Sequence, residues 1–503
     1  MTPEPDREFH DAATRPPGVL LALTPVLTLA AGFVGGTLLL HDESIRHGDA
    51  NTALLVAVLL LAATAAALVA RRSGHGWESI QRAAADQFTA VFPMVLILLA
   101  IGMLIGTWIF SGTIPYLVLL GIRLVSPEHM IVTAFVVTAI MSLATGTSWG
   151  SAGTVGVALV GMAIAIEAPV AATAGAVVSG AYFGDKMSPL SDMTNICALG
   201  AGARLYDHIR HMLYTALPSV AVALIVYTVA GSVLRSGGAG EGLPDSARVL
   251  IEDLGSIFSL SPLVLLPVLV VIAGIVRGVP PALTMASSSV IAMGLGVVLH
   301  GFDVEGALVS AFGGFDLSLV PVSQDARSHE GSASFGDATA RLLDRGGLSS
   351  MTGTLLLIIA AFLLAGAMKV SGSLDVLIGA MLRRVRSVFG LIAATMASGM
   401  LMIGLTSHGG VTALVVGGLY QRAYRDRDLA PQNLSRTLED SVTIIEPLLP
   451  WTVSALFMAD TLGVATIDYL PWALFCLTGP IFSLAYGMAQ RWTRFGIRRL
   501  AAD

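Results

Sequence analysis

Apolar segments long enough to cross a bilayer recur along this chain, and too little charge lies between them to clothe a soluble core. A helix needs about 20 apolar residues to cross about 30 Å of hydrocarbon. Such segments lie near 19–40, 50–70, 88–110, 170–200, 211–234, 258–277, 281–299, 350–372, 437–462 and 468–490. Of the 503 residues, 55% are hydrophobic and 12% charged, against about 25% charged in soluble domains. Lipid is therefore the solvent for most of the surface, and an all-α polytopic membrane protein is predicted. The segment from Val19 to Leu40 is too long for a signal-peptide core and reads as an uncleaved span. A net charge of −6 without basic runs excludes nucleic acid as a partner. The chain has no HExxH or P-loop, so neither an enzyme nor a cofactor is expected. Cys197 and Cys476 stand far apart, without metal-ligand spacing, and read as inert buried thiols.

Two further apolar stretches, 130–166 and 387–421, are each long enough to cross twice. Polar residues interrupt them at ATGTSWGSAG (144–153) and GLTSHGG (404–410). Each is either two spans or a hairpin that enters and returns on one side. Basic residues gather in cytoplasmic loops. Arg71, Arg72 and Arg82 place the loop after the second span inside, and Asp42, Glu43 and Asp49 fit outside. Arg491, Arg494, Arg498 and Arg499 place the C-terminal end inside. Arg383, Arg384 and Arg386 precede the second interrupted stretch, and Arg422, Arg425 and Arg427 follow it. Both flanks then face the cytoplasm, which makes this stretch a re-entrant hairpin. The first stretch, flanked by Arg123, Glu128 and Glu167, fits a hairpin from the outside. The result is ten spans in a cell (inner) membrane with both termini cytoplasmic. Segments 235–253 and 323–348 are predicted extramembrane loops, and 305–322 a surface or half-spanning piece.

The two halves match. MVLILLAIGMLIGTWIFSG (94–112) and TLLLIIAAFLLAGAMKVSG (354–372) both end in Ser-Gly, with Gly106 and Gly366 six positions earlier. Thr147-Ser148 and Thr406-Ser407 follow at nearly equal distances, and then FGDKMSPLSDMTN (183–195) and LEDSVTIIEPLLPWT (438–452), each with carboxylates, proline and hydroxyls in an apolar setting. The chain divides into an N-terminal pair of spans (1–72), a first repeat (88–234), linking helices (255–300), a polar loop region (301–349) and a second repeat (350–490). The charge pattern puts equivalent segments on opposite sides, the inverted-repeat arrangement of secondary transporters, with two re-entrant hairpins and two broken helices.

Chemistry concentrates at the breaks. Asp185, Lys186 and Asp192 would each cost about 2.5–3.5 kcal/mol at the bilayer centre if unpaired, so Lys186 is expected to pair with a carboxylate. Pro189 and Gly184 break the helix. The freed carbonyls, with Ser188, Ser191, Thr194 and Asn195, offer oxygen ligands to a small cation. In the second half Arg436 can pair with Asp440 one turn away, Glu439 points about 100° from Asp440, and Glu446 precedes Pro447. The hairpin tips add Thr147, Ser148, Thr406, Ser407 and His408.

GTSWGSAGTVGVAL, SGAYFGDKMSPLSDMTNI, HIRHMLYTALPS and NLSRTLEDSVTIIEPLLPW resemble the NhaC-type Na+/H+ antiporters of the ion transporter superfamily, whose relatives include Na+-coupled malate/lactate exchangers. The resemblance covers about 88–490. It implies a scaffold and a transport domain, elevator-like alternating access, a homodimer, and Na+ and H+ as coupling ions. An ion site would then comprise Asp185, Ser188, Ser191, Asp192, Thr194, Asn195, Thr147 and Ser148, with Na+ on Asp185 and Asp192. Lys186, Trp149, Thr406, Ser407, His408, Asp440, Ser441, Glu446 and Thr452 would serve substrate or proton, and Arg436 with Glu439 would form a structural ion pair. The second half departs from the family pattern LEDSGTVTSPLIPWN at Val442, Glu446 and Thr452, and its tip reads TSHGG. Those changes motivate an alternative, Na+- or H+-coupled exchange of a small organic solute such as a dicarboxylate or an amino acid.

Overall fold

The computed structural model describes residues 16–39, 49–234, 245–320, 336–490, 492, 493 and 495–500. Asp42, Glu43, Arg491, Arg494 and most of the two predicted extramembrane loops lie outside these residues. Among the described residues all regular elements are helices, and the only β pairing is two isolated bridges. Among the described residues nine helices are long and apolar enough to cross a membrane, and three bent pairs raise that number to 12.

α1 (Val19–Leu39) and α2 (Asp49–Arg72) lead into α3 (Trp77–Phe110). Gly112, at φ 74°, turns the chain into α4 (Thr113–Leu124). Then come α5 (Met130–Thr145) and α6 (Ser148–Ala165), the latter loosened by a π turn at Ala152–Gly156. α7 (Val170–Met187) stops, α8 (Asp192–Ala201) resumes after a gap, and α9 (Leu205–Val233) follows. The link consists of α10 (Asp245–Ile257), α11 (Leu266–Val276), α12 (Pro281–His300), α13 (Val304–Phe312) and α14 (Asp337–Leu343).

The second half repeats the element order of the first. α15 (Thr352–Val370) ends at Ser371, and Gly372 at φ 67° turns the chain into α16 (Ser373–Arg383). α17 (Val388–Thr406) and α18 (Gly409–Arg425) match α5 and α6. α19 (Pro431–Leu438) runs on through a π turn at Glu439–Thr443 and a 3-10 turn at Glu446–Leu448, breaks, and resumes as α20 (Val453–Leu462). The short α21 (Thr466–Tyr469) then leads to α22 (Leu474–Ala489).

Several spans differ in detail from expectation. Segment 258–277 is not one straight span: α11 has 11 residues, and the chain bends by 94° between α10 and it. The cause is local, since Pro262 offers no amide and the Ser261 hydroxyl accepts from Leu263 N, restarting the helix. Segment 305–322 is the nine-residue α13, capped by Asp303, plus a single 3-10 turn. The end of the predicted 323–348 loop is tucked in. Gly347 N donates to Gly102 O of α3 at 2.7 Å, with Gly346 and Gly347 at φ 88° and 84°. A side chain at Gly346 would strike the backbone of Gly106.

Close helix contacts rest on small residues, as expected between helices in lipid. α5 and α7 pack along Gly180 and Gly184; a Cβ at Gly184 would lie 2.5 Å from Ser142 Cβ and 2.7 Å from Ala139 O. Gly184→Ala is expected to destabilise by about 1–3 kcal/mol through overpacking. Gly294→Ala, which meets open space on α12, is expected to be neutral or mildly stabilising. Unfolding temperatures of the two purified variants in detergent check this.

Candidate functional site

The two breaks are built alike. Ser191 caps α8, its hydroxyl accepting from Thr194 N at 3.3 Å, and Thr452 caps α20, accepting from Ala455 N at 3.4 Å. Counting back from each cap, a proline stands two positions before it (Pro189, Pro450) and a carboxylate six (Asp185, Glu446). Counting forward, Gly202 and Gly463 both stand 11 positions on, at φ 70° and 69°. Asp185 and Glu446 are therefore structural equivalents.

Hydroxyls at the breaks serve mainly the backbone. Thr194 Oγ1 donates to the carbonyls of Asp185 (3.1 Å) and Lys186 (3.0 Å), and Thr452 Oγ1 donates to those of Glu446 (2.5 Å) and Leu449 (2.9 Å). These bonds satisfy carbonyls that a helix end leaves open. The Ser188 hydroxyl accepts from Leu190 N, and the Asn195 amide donates to the carbonyls of Pro189 and Ser191. Ser441 bonds back to Thr437 O. Of the break residues only Ser191 also reaches the Asp185 carboxylate, through its hydroxyl. Asp192 does not join it: as the first residue of α8 its side chain is exposed, whereas Asp185 is buried.

The hairpin tips fix the register of the repeat. Gly146 ends α5 at φ 70° and Thr147 caps α6; Ser407 ends α17 at φ 51° and His408 caps α18, its Nδ1 accepting from Val411 N at 3.5 Å. So Thr147 corresponds to His408, and Ser148 to Gly409. The expected match of Thr147-Ser148 with Thr406-Ser407 is one residue out of step. Thr406 instead bonds Thr412 across the turn at 2.9 Å. Arg427, beyond α18, donates to Val385 O, before α17, so the two open ends of this hairpin meet.

The corrected register pairs each tip with one carboxylate. Ser148 Oγ donates to Asp185 Oδ2 at 2.7 Å. Gly409, at the place of Ser148, leaves room for Glu446, whose Oε2 would lie 3.0 Å from a Cβ there. Asp185 and Glu446 interact electrostatically, and Tyr182 and Ser454 flank Glu446. The second half of each broken helix crosses to the opposite hairpin. α8 meets α18 where Gly200 and Gly417 approach, and α20 meets α6 where Trp149 stacks on Phe457 at 4.2 Å. The four elements thus interlock around the two carboxylates.

Behind them lies a second polar cluster with no accessible surface. Lys186 is fully buried and pairs with Asp440 of the other half, and Thr215 of α9 bonds the same Asp440 oxygen at 3.2 Å. Arg436 lies 3.9 Å from Asp440 and reaches His211 and the Gly496 carbonyl. The expected Arg436–Glu439 pair does not form, because the guanidinium is drawn to Asp440 and Glu439 faces His208 instead. His208, His211 and Thr215 were missed as candidates, although their spacing of three and four puts them on one face of α9. Accessibility separates the two groups: Asp185 keeps 6% and Glu446 8%, while Lys186, Arg436, Glu439 and Asp440 keep 0%. Of these six side chains only the first pair keeps any accessible surface.

A cavity of about 440 Å³ lies elsewhere, at the far end of α20, lined by Asp316, Asp344, Arg345 and Asp460. Asp344, in the loop before α15, has its carboxyl pushed above the usual range by burial, while the Ser318 hydroxyl and amide hold Asp316 below it. Seven helical residues of α20 separate Asp460, which lines this cavity, from the break, about 10 Å of helix.

A family model described as the Na+/H+ antiporter family matches residues 180–490. The chain is 44% identical to an uncharacterised Na+/H+ antiporter of Haemophilus influenzae, over 86% of this chain and 89% of that one. It is 33% identical to the Na+/H+ antiporter NhaC of Bacillus subtilis, over 89% and 94% of the two chains. It is also 30% identical to the malate-2H+/Na+-lactate antiporter of Bacillus subtilis, over 84% and 86%.

Proposed function

The chain belongs to the Na+/H+ antiporter family, and on that premise we propose that it exchanges Na+ for H+ at one site shared by Asp185 and Glu446. The observation that carries this reading is their equivalence. One carboxylate from each half stands at each helix break, beside a hairpin tip, and both keep a little accessible surface. Two ionised carboxylates facing each other in a low-dielectric site repel strongly. Either a Na+ ion between them or protons on them relieves that repulsion. Na+ and H+ then compete for one place, and the unloaded pair is too costly to carry across. Competition plus a ban on empty return is antiport, without covalent chemistry. Ser148 orients Asp185, and Lys186, committed to Asp440, stays out of the exchange.

In this reading the hairpins enter and return, and they move with the broken helices against a frame of α1–α3, α12 and α15. The meeting of Arg427 with Val385 supports the re-entrant form of the second hairpin. Both chain ends face the cytoplasm, and the working unit is a homodimer.

Everted membrane vesicles under an imposed pH gradient test the proposal. Na+ or Li+ is expected to collapse the gradient saturably; no cation-driven pH response at any pH would sink it. Ser148→Ala removes a hydrogen bond to a charged group, worth about 1.5–3 kcal/mol. It is expected to raise the half-saturating Na+ concentration about tenfold or more.

A second reading, exchange of a small organic solute, draws on Glu446 and His408 at the tip of the second half and on the malate/lactate relative. Two carboxylates repel a dicarboxylate and favour a cationic solute such as a basic amino acid. Labelled uptake that disappears in Glu446→Ser/Thr452→Asn, while Na+/H+ exchange appears, would favour it.

A further inference from the structure

Glu439 sits on the π turn after α19, fully buried; no N–H or O–H donates to its carboxylate oxygens, and the Cys197 thiol of α8 lies beside it as a weak donor. The imidazole facing it belongs to His208, in the first turn of α9, with Nε2 3.8 Å from Oε1. His208 is also fully buried, and neither ring nitrogen has a hydrogen-bond partner. A carboxylate with only a thiol beside it and an imidazole with no hydrogen-bond partner thus face each other just beyond hydrogen-bond distance.

Nothing else in the surroundings balances Glu439. On its own element, Arg436 turns to Asp440, His211 and the Gly496 carbonyl. From α7, Lys186 is committed to Asp440, and Asp185 adds negative charge within electrostatic reach. From α8 comes only the Cys197 thiol, and from α9, beyond His208, comes His211, held by Arg436. Tyr424 of α18 and Tyr486 of α22 face Arg436, not Glu439. Buried polar groups in folded proteins are nearly always satisfied. Here a single proton does it: held by Glu439, it is donated toward the His208 imidazole. A small approach of the two side chains closes the bond.

We propose that Glu439 and His208 form a second, occluded site that takes up one proton, distinct from the Asp185–Glu446 pair. The step is a proton transfer alone, from water to the carboxylate and back, so no other bond changes. Its role in transport rests on the reading of the chain as a proton-coupled antiporter; its occupancy does not. In that role it adds a proton-binding equilibrium that no transported solute contacts. Earlier on α19, Arg436 donates to the Gly496 carbonyl and Asn433 accepts from Arg498 N, so the C-terminal segment docks on the same helix.

Infrared difference spectra of the purified full-length protein in lipid vesicles, recorded across pH without Na+, read the C=O stretch of protonated carboxyl groups. Glu439→Gln is expected to remove one pH-dependent carboxyl band, and Asp185→Asn to leave that band in place. His208→Gln, which keeps the carboxylate, is expected to move the pH at which the band disappears by about one unit or more. A full set of bands in Glu439→Gln, or an unmoved titration in His208→Gln, overturns the proposal. Should Glu439→Gln fail to fold, the His208→Gln titration decides alone. A titrating Glu439 band in a protein without Na+-driven pH response would end the antiport reading and keep the site. Antiport without that band would do the opposite.

Discussion

Asp185→Asn is expected to abolish Na+-driven exchange, and Glu446→Gln to lower it by about 10- to 100-fold. The Asp185 carboxylate accepts from Ser148 at 2.7 Å, is also bonded by Ser191, and keeps accessible surface, whereas Glu446 has Ser454 alone. Its amide cannot carry the charge that holds Na+ or the proton that replaces it. The Glu446 side chain faces Gly409, where a hydroxyl stands in the first half, so it contributes charge with less positioning. Losing one charged contact of about 1.5–3 kcal/mol gives the stated range. Asp192→Asn, by contrast, is expected to stay within about twofold of wild type, since its side chain is exposed and away from the pair. Exchange rates in everted vesicles, normalised to protein in the membrane, check all three.

The largest loss of stability is expected at the buried pair behind the site. Removing one partner of a buried ion pair costs about 3–5 kcal/mol, because the other charge is left without compensation. Lys186→Met should fall at the low end, since Asp440 retains Thr215 and the nearby Arg436. Asp440→Asn should fall at the high end, because it strands two cations at once. The double variant should cost less than the sum of the single ones, as residues in one network do. Apparent melting temperatures of the purified proteins, with Na+ absent, give the order. Lys186→Met as damaging as Asp440→Asn would contradict this assignment of partners.

Much of the architecture was legible because lipid imposes strict length and charge rules. The Ser-Gly ends of α3 and α15, the polar tips and the proline-containing breaks all fall where the sequence pattern put them. What escaped depended on single-residue geometry. The tips were matched on shared hydroxyls, yet the equivalence is set by the left-handed residue, and Ser407 takes at φ 51° the place of Gly146. Sequence patterns lead one to expect glycine there. The pairing of Asp185 with Glu446 was present in the text, as DKMSPLS beside EPLLPWT, but only the cap position aligns these strings. The facing of Asp192 was not legible, since one step past a cap changes which side a residue takes. Lys186 was expected to find a carboxylate. That it finds Asp440, 254 positions away, is a property of the crossed halves that no local pattern encodes. In the same way the Arg436–Glu439 pair failed because a cross-half partner outweighed a neighbour.

The central claim is that Asp185 and Glu446, one from each half, make a single cation site that protons contest. Equilibrium binding of radioactive Na+ to the purified protein in detergent tests it most directly. Saturable binding is expected, weakened as pH falls and lost in Asp185→Asn/Glu446→Gln. Saturable Na+ binding that survives unchanged in that double variant would contradict it.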